Sequence, residues 1–114
     1  MNQTLYNELL RLARSARLAT YSEVSPLINL LMDNQQDRNE IARLLVEIAV
    51  NEHNEGRPML TALIVHQGND NNPGEGFFTI AHELGIFNGG RDQMDRLTFW
   101  TNQVRQVHDY WMNN

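Results

Sequence analysis

The chain contains no cysteine and no lysine, and these two absences exclude several classes of protein. Without cysteine there is no disulfide framework, no thiolate nucleophile and no sulfur-ligated zinc site. Without lysine the phosphate-binding pattern GxxxxGK[ST] cannot be met. No apolar run approaches the roughly 18 residues that span a bilayer, and the N-terminus has no basic start before a long apolar block. The sequence therefore predicts a soluble, cytoplasmic protein that does not bind membranes.

The residues that are present indicate one acidic globular domain. The 114 residues are 41% hydrophobic, which is enough to bury one core, so residues 1–114 are expected to form a single domain. Fourteen acidic residues outnumber nine arginines and give a formal net charge of −5. Such a charge repels nucleic acid on average, so a nucleic-acid partner is disfavoured unless a local basic patch overrides it.

Apolar residues at helical spacing predict three long helices. The second begins at Asp37, which would form a capping box with Glu40, and ends at Gly56 and Pro58. The last begins at Asp92. The predicted apolar faces are Leu5, Leu9, Leu12, Ala13 and Ala16 in the first helix, Ile41, Leu44, Leu45, Ile48 and Ala49 in the second, and Leu97, Trp100, Val104 and Val107 in the last, where Trp111 continues the same spacing.

The segment Met59–Val65 is apolar at nearly every position, which predicts a central strand buried on both faces. A single strand cannot satisfy its own hydrogen-bond ladder, so a partner strand is required. The candidates are Leu18–Tyr21, residues 76–80, or the same strand in a second subunit. These elements predict an α+β fold in which one central apolar strand and its short partners pack against four to five helices.

Two shorter elements are less sharply bounded in the sequence. After the first short strand, either Ser22 caps a helix, or Ser25 caps one that carries Pro26 at its first position. The residues FFTIAHEL also fit the start of a helix that ends at Gly85.

The stretch HQGNDNNPGEGFFTIAHELG, residues 66–85, has the outward form of a phosphate cradle. However, Thr79 stands where a dinucleotide fingerprint needs its third glycine, and Glu75 places a carboxylate where a pyrophosphate would lie. No nucleotide and no other cofactor is therefore expected.

The same stretch fits a turn that leads into the core. Pro73 and Gly74 are expected to set the turn, and Gly76 to allow close backbone packing. Phe77 and Phe78 would then enter the core.

Metal binding has weak support. HELG at residues 82–85 opens like the zinc motif HExxH, but Ile86 stands at the second ligand position. A composite site from His53, His66 and either Glu47 or Glu52 remains open, whereas histidines with ordinary surface partners are the more frequent case. We expect no metal.

Five short motifs between residues 20 and 111 carry a resemblance to a known family: TYSEV, GRPMLTALIVH, PGEGFF, FW and YW. They resemble a family of small bacterial proteins of the kind found among genomic islands and mobile gene cassettes, which has no established activity. A weaker likeness is to the winged-helix half of alkyltransferase-like proteins, through Thr20, Tyr21, Arg38 or Arg43, and Pro58. Alkyl transfer is not implied, because the reactive Pro-Cys-His-Arg of those enzymes has no counterpart here.

These observations favour a small accessory binding or interaction protein without enzymatic activity, acting as a homodimer with an unidentified protein or small-molecule partner. A DNA-acting winged-helix-like module is the alternative, and a small hydrolase or nuclease that uses Glu and His groups is the third. A contiguous arginine surface would favour DNA binding. The candidate binding residues are Tyr21, Glu23, Arg57, His66, Glu75 and Phe77.

The position of a site is constrained by the predicted strand. Arg57 and His66 would lie at its two ends, about 20 Å or more apart, and so could not share one small pocket. A cleft that joined both of them to Glu47 would favour an enzyme. We expect any ligand at the loop end, where Glu75 would approach the imidazole of His66. The predicted dimer would form either through the sheet or through Tyr110 and Trp111 covering an apolar patch on a neighbour.

Overall fold

A computed structural model describes residues 1–68 and 72–114, which are mostly helical with a small two-stranded sheet. None of the described helices has the length and apolar character needed to cross a membrane. The elements in chain order are α1 Gln3–Arg14, β1 Ala19–Thr20, α2 Tyr21–Val24, a 3₁₀ helix Ser25–Ile28, α3 Gln35–Asn54, a second 3₁₀ helix Leu60–Leu63, β2 Ile64–Val65, α4 Glu75–Glu83 and α5 Gln93–Met112.

The first helix forms as predicted except at its end. Asn2 caps α1 by accepting a hydrogen bond from the backbone N–H of Leu5 at 2.9 Å. The expected residues Leu5, Leu9, Leu12 and Ala13 are buried. Ala16 was predicted on the same face, but α1 ends at Arg14 and Ala16 turns with a φ of 56° and stays exposed. The left-handed turn redirects the chain before the predicted face is complete.

The start of α3 lies earlier than predicted, while its buried stripe is confirmed. The cap is Asn34, whose side chain accepts from the backbone N–H of Asp37 at 3.1 Å. Asp37 instead accepts from the backbone N–H of Leu31 at 2.9 Å, so it does not form the predicted capping box with Glu40. The helix ends near Gly56, where φ is 73°. The buried residues include Ile41, Leu44, Leu45, Ile48 and Ala49.

The last helix begins as predicted, because Asp92 accepts from the backbone N–H groups of Met94 and Asp95. Trp100, Val107 and Trp111 are buried, but Leu97 is 50% exposed and its predicted burial is wrong. Leu97 lies in the part of α5 that borders an open cleft beside the start of α4, so the apolar spacing continues beyond the covered part of the helix.

The segment Met59–Val65 is buried as predicted, but it is not a strand along its length. Leu60–Leu63 forms a 3₁₀ helix, and only Ile64–Val65 is extended. An apolar run does not distinguish a buried strand from a buried helical turn. Two side chains of α5 fix the observed form: Gln103 accepts from the backbone N–H of Met59 at 3.0 Å, and the Trp100 indole donates to the Ala62 carbonyl at 2.9 Å.

The sheet pairs β1 with β2 in parallel, with Ala19 opposite Ile64 and Thr20 opposite Val65. Of the three predicted partners for the apolar segment, the one within Leu18–Tyr21 is therefore correct. Residues 76–80 belong to α4 instead, which ends near Gly85 as predicted.

The helix after β1 begins at Tyr21, before either predicted cap. Thr20 caps α2 and forms a capping box with Glu23, so neither Ser22 nor Ser25 has that role. Pro26 lies in the first turn of the following 3₁₀ helix, where its missing N–H costs little.

The core consists of two adjoining clusters. One gathers apolar residues of α1, α3 and the end of α5 around the second 3₁₀ helix, Leu60–Leu63. The other is aromatic and contains Phe77, Phe78, Phe87 and Trp100, which confirms that Phe77 and Phe78 enter the core. The second 3₁₀ helix contributes to both clusters, through Leu60 and Leu63 to the first and through Ala62 to the second.

Candidate functional site

At one end of the apolar segment, Arg57 forms an ion pair with a fully buried carboxylate. Glu52 is 0% exposed, and its Oε2 accepts from Nη2 and Nε of Arg57 at 2.7 and 3.1 Å. The Tyr6 hydroxyl donates to the same carboxylate at 3.2 Å, and the Asn51 amide donates at 3.1 Å. The hydrogen bond to Glu52 raises the pKa of Arg57. Arg57 therefore serves to neutralise a buried carboxylate of its own chain.

Trp111 completes this buried cluster. Its ring centroid lies 5.4 Å from the guanidinium carbon of Arg14 and 5.6 Å from that of Arg57. Tyr110 packs edge-on against it, with ring centroids 5.0 Å apart. Trp111 is buried within its own chain, so it has little surface left for the predicted contact with a neighbour. Tyr110 is only partly buried, and the predicted dimer stays a prediction.

At the other end, His66 stacks on Tyr21. The ring centroids are 4.5 Å apart and the planes differ by 25°. The Tyr21 hydroxyl donates to the Pro73 carbonyl at 3.2 Å, while the backbone N–H of His66 donates to the Asn72 carbonyl at 2.8 Å. Burial raises the pKa of the Tyr21 phenol. The two rings therefore tie α2 to the loop that precedes α4.

Gly74 is the glycine that this loop requires, in place of the predicted Gly76. Its φ is 87°, a conformation that side chains strongly disfavour. A Cβ atom here would lie 2.5 Å from Nε2 of His66, whereas one at Gly76 would meet nothing within 4 Å. The backbone N–H of Gly74 donates to the Asn72 side chain at 2.9 Å. Pro73 and Gly74 thus form the predicted turn, and Gly74 gives the imidazole its space. Part of the predicted loop, residues 69–71, lies outside the described residues.

An open cleft of about 410 Å³ lies beside the stacked rings. Its described walls come from α2, α3 and the residues on either side of the loop before α4: Tyr21, Ser22, Met32, Arg38, Ile41, Ala42, His66, Gln67, Pro73, Gly74 and Gly76. The volume is typical of sites for small molecules. A smaller apolar pocket of about 70 Å³ shares Tyr21 and Ala42 with this cleft and reaches Phe77. We call the larger one the Tyr21–His66 cleft.

Arg38 is the only formally charged side chain among the described residues that line this cleft. Its Nη1 donates to the Met32 carbonyl and its Nη2 to the Gln35 side chain, each at 2.7 Å. The guanidinium is exposed but held in one orientation. In the sequence, Arg38 is distinguished only by the winged-helix likeness. An arginine near the start of a predicted amphipathic helix is a common surface feature, so the sequence alone does not mark Arg38 as a binding residue.

Two predicted binding residues lie away from the cleft. Glu23 accepts from the backbone N–H and the hydroxyl of Thr20, and these hydrogen bonds lower the pKa of its carboxyl. Glu75 pairs with Arg96 at 2.6 Å, which lowers the pKa of Glu75 in the same way. The expected approach of Glu75 to His66 is therefore wrong, because Glu75 takes a cation partner from α5.

The composite metal site is not assembled. Glu52 is bound to Arg57, and Glu47 pairs with Arg43 at 2.7 Å. No group of three or more His, Asp or Glu side chains within residues 1–68 and 72–114 lies close enough to hold a metal ion. The cleft beside His66 contains neither Glu47 nor Arg57, whereas one cleft joining all three was the arrangement expected of an enzyme.

The premise of an extended strand between Arg57 and His66 is also wrong, because the second 3₁₀ helix shortens the path. Their separation into two environments nevertheless holds, since one contacts Glu52 and the other contacts Tyr21. Of the six candidate binding residues, the structure brings Tyr21 and His66 into one cleft and places Phe77 in the adjoining pocket.

Known proteins give no independent guide to this cleft. The two resemblances seen in the sequence stay predictions, and the cleft has to be interpreted from its own residues. Comparisons of the chain with models of protein families, with curated proteins and with solved structures gave no match.

Proposed function

We propose that the protein is a small, non-enzymatic binding protein whose ligand occupies the Tyr21–His66 cleft. The observation that carries this proposal is the combination of an open cleft of about 410 Å³ with a stacked aromatic pair and one oriented cation. Binding sites for small molecules are mostly apolar and contain a few well-placed polar groups. The Tyr21–His66 cleft has this composition.

The chemistry around the cleft supports binding over turnover. General acid–base catalysis needs a titratable group within hydrogen-bond reach of the reacting atoms, and nucleophilic catalysis needs a base beside the nucleophile. Within the described residues, no hydrogen bond joins the imidazole of His66 to a carboxylate or hydroxyl. The carboxylates of Glu23, Glu52 and Glu75 are held by Thr20, Arg57 and Arg96.

An NMR titration tests the proposal. Mixed small aromatic acids, amides and amines are added to the isotope-labelled protein, and amide shifts are followed. We expect the shifts to cluster in residues 21–22, 38–42 and 66–76. Shifts confined to residues 52–58, or none at all, would contradict the proposed site.

A matched pair of variants tests whether the cleft itself is occupied. Ala42 lines the cleft, so Ala42→Phe adds a ring inside it and should abolish the shifts. Arg43→Phe adds the same ring at the next residue of α3, which is exposed and does not line the cleft. This control should bind as the parent does, and equal loss in both variants would oppose the proposal.

A DNA-acting, winged-helix-like module is the second candidate. Arg38, one of the two arginines that carry that likeness, is exposed in the first part of α3. The other, Arg43, is paired with Glu40 and Glu47, and these carboxylates would repel phosphate along the same helix. Fluorescence anisotropy with a labelled duplex at low salt tests this candidate. Salt-sensitive binding that Arg38→Gln weakens would favour DNA over a small ligand.

Association as a homodimer also stays a prediction. The strands β1 and β2 are two residues long, and a partner strand at an outer edge of this sheet is the route that the burial of Trp111 leaves open. Sedimentation velocity at micromolar concentration tests it. A single species of monomer mass would contradict the prediction.

A further inference from the structure

The apolar part of the Tyr21–His66 cleft can cover the body of a small organic molecule. Met32, Ile41 and Ala42 provide aliphatic surface, and Tyr21 provides an aromatic wall. Gly74 contributes only backbone to the lining, because the imidazole of His66 occupies the space where a side chain would lie. A ligand without an apolar part would leave this surface in water and gain nothing from it.

Arg38 can supply the polar contact at the edge of this surface. A guanidinium has five N–H donors, and the two described hydrogen bonds use one on Nη1 and one on Nη2. The remaining donors include Nε, and they are available to a ligand because the side chain is exposed. Since the guanidinium is already oriented, less rotamer freedom is lost when a carboxylate binds.

The charge distribution selects the sign of the ligand. The chain carries a net charge of −5, yet the described residues lining this cleft include no Asp or Glu. Glu75, which adjoins the lining residues Gly74 and Gly76, is held by Arg96 of α5. Among the described lining residues a cationic ligand would find no carboxylate, and a neutral one would leave the Arg38 donors unused.

We infer that the ligand of the Tyr21–His66 cleft is a small amphipathic anion, an apolar body that carries one carboxylate. This inference rests on the proposed function, because it specifies the ligand of the same cleft. The carboxylate pairs with Arg38, and the body packs on Ile41, Ala42 and the Tyr21 ring.

Three compounds of one shape but different charge separate the alternatives: phenylacetate, phenylacetamide and phenethylamine. Their affinities are measured by amide NMR shifts at low salt, with the parent protein and two variants. Phenylacetate should bind about tenfold more tightly than the amide or the amine, because a charge-assisted hydrogen-bond pair forms only with the acid. Added salt should weaken the binding of phenylacetate more than that of the amide.

The variants Arg38→Gln and Arg43→Gln remove the same charge from the same helix. Only the first removes a cleft residue, so it should reduce phenylacetate affinity about tenfold, to the level of the amide. Arg43→Gln should leave the affinity within about twofold of the parent, because Arg43 is exposed and occupied by Glu40 and Glu47. Circular dichroism melting confirms that both variants are folded.

Two negative results have different meanings. If all three compounds shift the cleft residues with equal affinity, or if Arg38→Gln has no effect, the anionic ligand class is wrong while binding in the cleft stands. If none of the three shifts residues 21–22, 38–42 or 66–76, both the inference and the proposed function are overturned.

Discussion

The two ends of the short apolar segment differ in how their polar groups are used. At the Arg57 end, a buried carboxylate is surrounded by donors from Arg57, Tyr6 and Asn51. At the His66 end, the imidazole is exposed and stacks on Tyr21 beside an open cleft. The first end contains more charge, yet its charged groups already have partners. The number of charged residues is therefore a poor guide to a ligand site, and the fraction that remains available is a better one.

The difference has a physical origin in burial. A carboxylate removed from water, such as that of Glu52, requires several donors to offset its desolvation, so the groups around it become fixed. The exposed guanidinium of Arg38 has no such requirement and keeps donors for other molecules. We therefore expect substitution of the charged groups at the Arg57 end to change stability, and substitution of Arg38 beside the His66 end to change binding more than stability.

The largest expected effect concerns Trp100, which binds the second 3₁₀ helix between the Arg57 and His66 ends. Trp100→Ala removes a buried ring and the hydrogen bond to Ala62, and should reduce the free energy of unfolding by about 3 to 5 kcal/mol. Leu97→Ala on the same helix is the control, and it should cost less than about 1 kcal/mol because Leu97 is half exposed. Urea unfolding measures both. Similar losses in the two variants would contradict the assigned core.

The next largest effect is expected at the Arg57 end. Glu52→Gln leaves the Arg57 guanidinium without its charge partner and should cost about 2 to 4 kcal/mol, reduced somewhat because Arg57 is partly exposed. Glu47→Gln breaks an exposed pair with Arg43 and should leave the free energy of unfolding close to that of the parent. Phenylacetate affinity, measured where the variant is folded, should stay at the parent value. A loss of binding with unchanged stability would reverse the roles of the two ends.

A smaller effect is expected at the His66 end, where two glycine substitutions should change stability in opposite directions. Gly74→Ala forces a Cβ atom against His66 at a φ of 87° and should destabilise the protein by about 1 to 3 kcal/mol. Gly76→Ala places the same methyl group inside α4 without a contact, and should stabilise by about 0.5 to 1 kcal/mol. Thermal melting distinguishes the two. A neutral result at Gly74 would show that the loop does not press on the imidazole.

The smallest effect is a pH dependence at Tyr21. Burial raises the pKa of its phenol, so the folded chain keeps this proton at a pH where the unfolded chain releases it. This contribution to stability is therefore complete below the ordinary tyrosine pKa of about 10 and is lost as the pH rises through the raised pKa.

Tyr21→Phe removes this dependence together with the hydrogen bond to Pro73. At neutral pH it should cost about 1 kcal/mol. The deficit should shrink when urea midpoints are compared between about pH 8 and about pH 11, because only the parent can ionise this group. Tyr6→Phe is the comparison at the Arg57 end, since burial and Glu52 also raise the pKa of Tyr6. A deficit that grew with pH at Tyr21 would contradict the assignment.

The sequence predicted the long helices because their apolar residues repeat over several turns. It also named the partner strand near Ala19 as one of three candidates, without choosing between them. It did not predict the 3₁₀ helix at Leu60–Leu63, because a segment buried on every side has no periodic contrast between its faces. The hydrogen bonds from Gln103 and Trp100 that fix this segment come from distant residues and leave no local signal.

The candidate site was only partly predictable for a related reason. Tyr21, His66 and Phe77 were chosen by residue type, and the structure places them together through the β1–β2 pairing and the turn at Gly74. Glu75 was assigned to the wrong partner because its arginine lies 21 residues further along the chain. Arg38 was not among the candidates because its value depends on which donors remain unused, which only the contacts with Met32 and Gln35 define.

The parallel pairing of β1 with β2 has a consequence for the order of folding. Ala19 and Ile64 are separated in the chain by α2 and all of α3, so the pairing closes a long loop and is entropically costly until the intervening helices are compact. We therefore expect the helices to gain amide-exchange protection in refolding before the two strands do. In a chain truncated before Ile64, the strand Ala19–Thr20 would have no native partner, and its backbone would remain open to pairing with other chains.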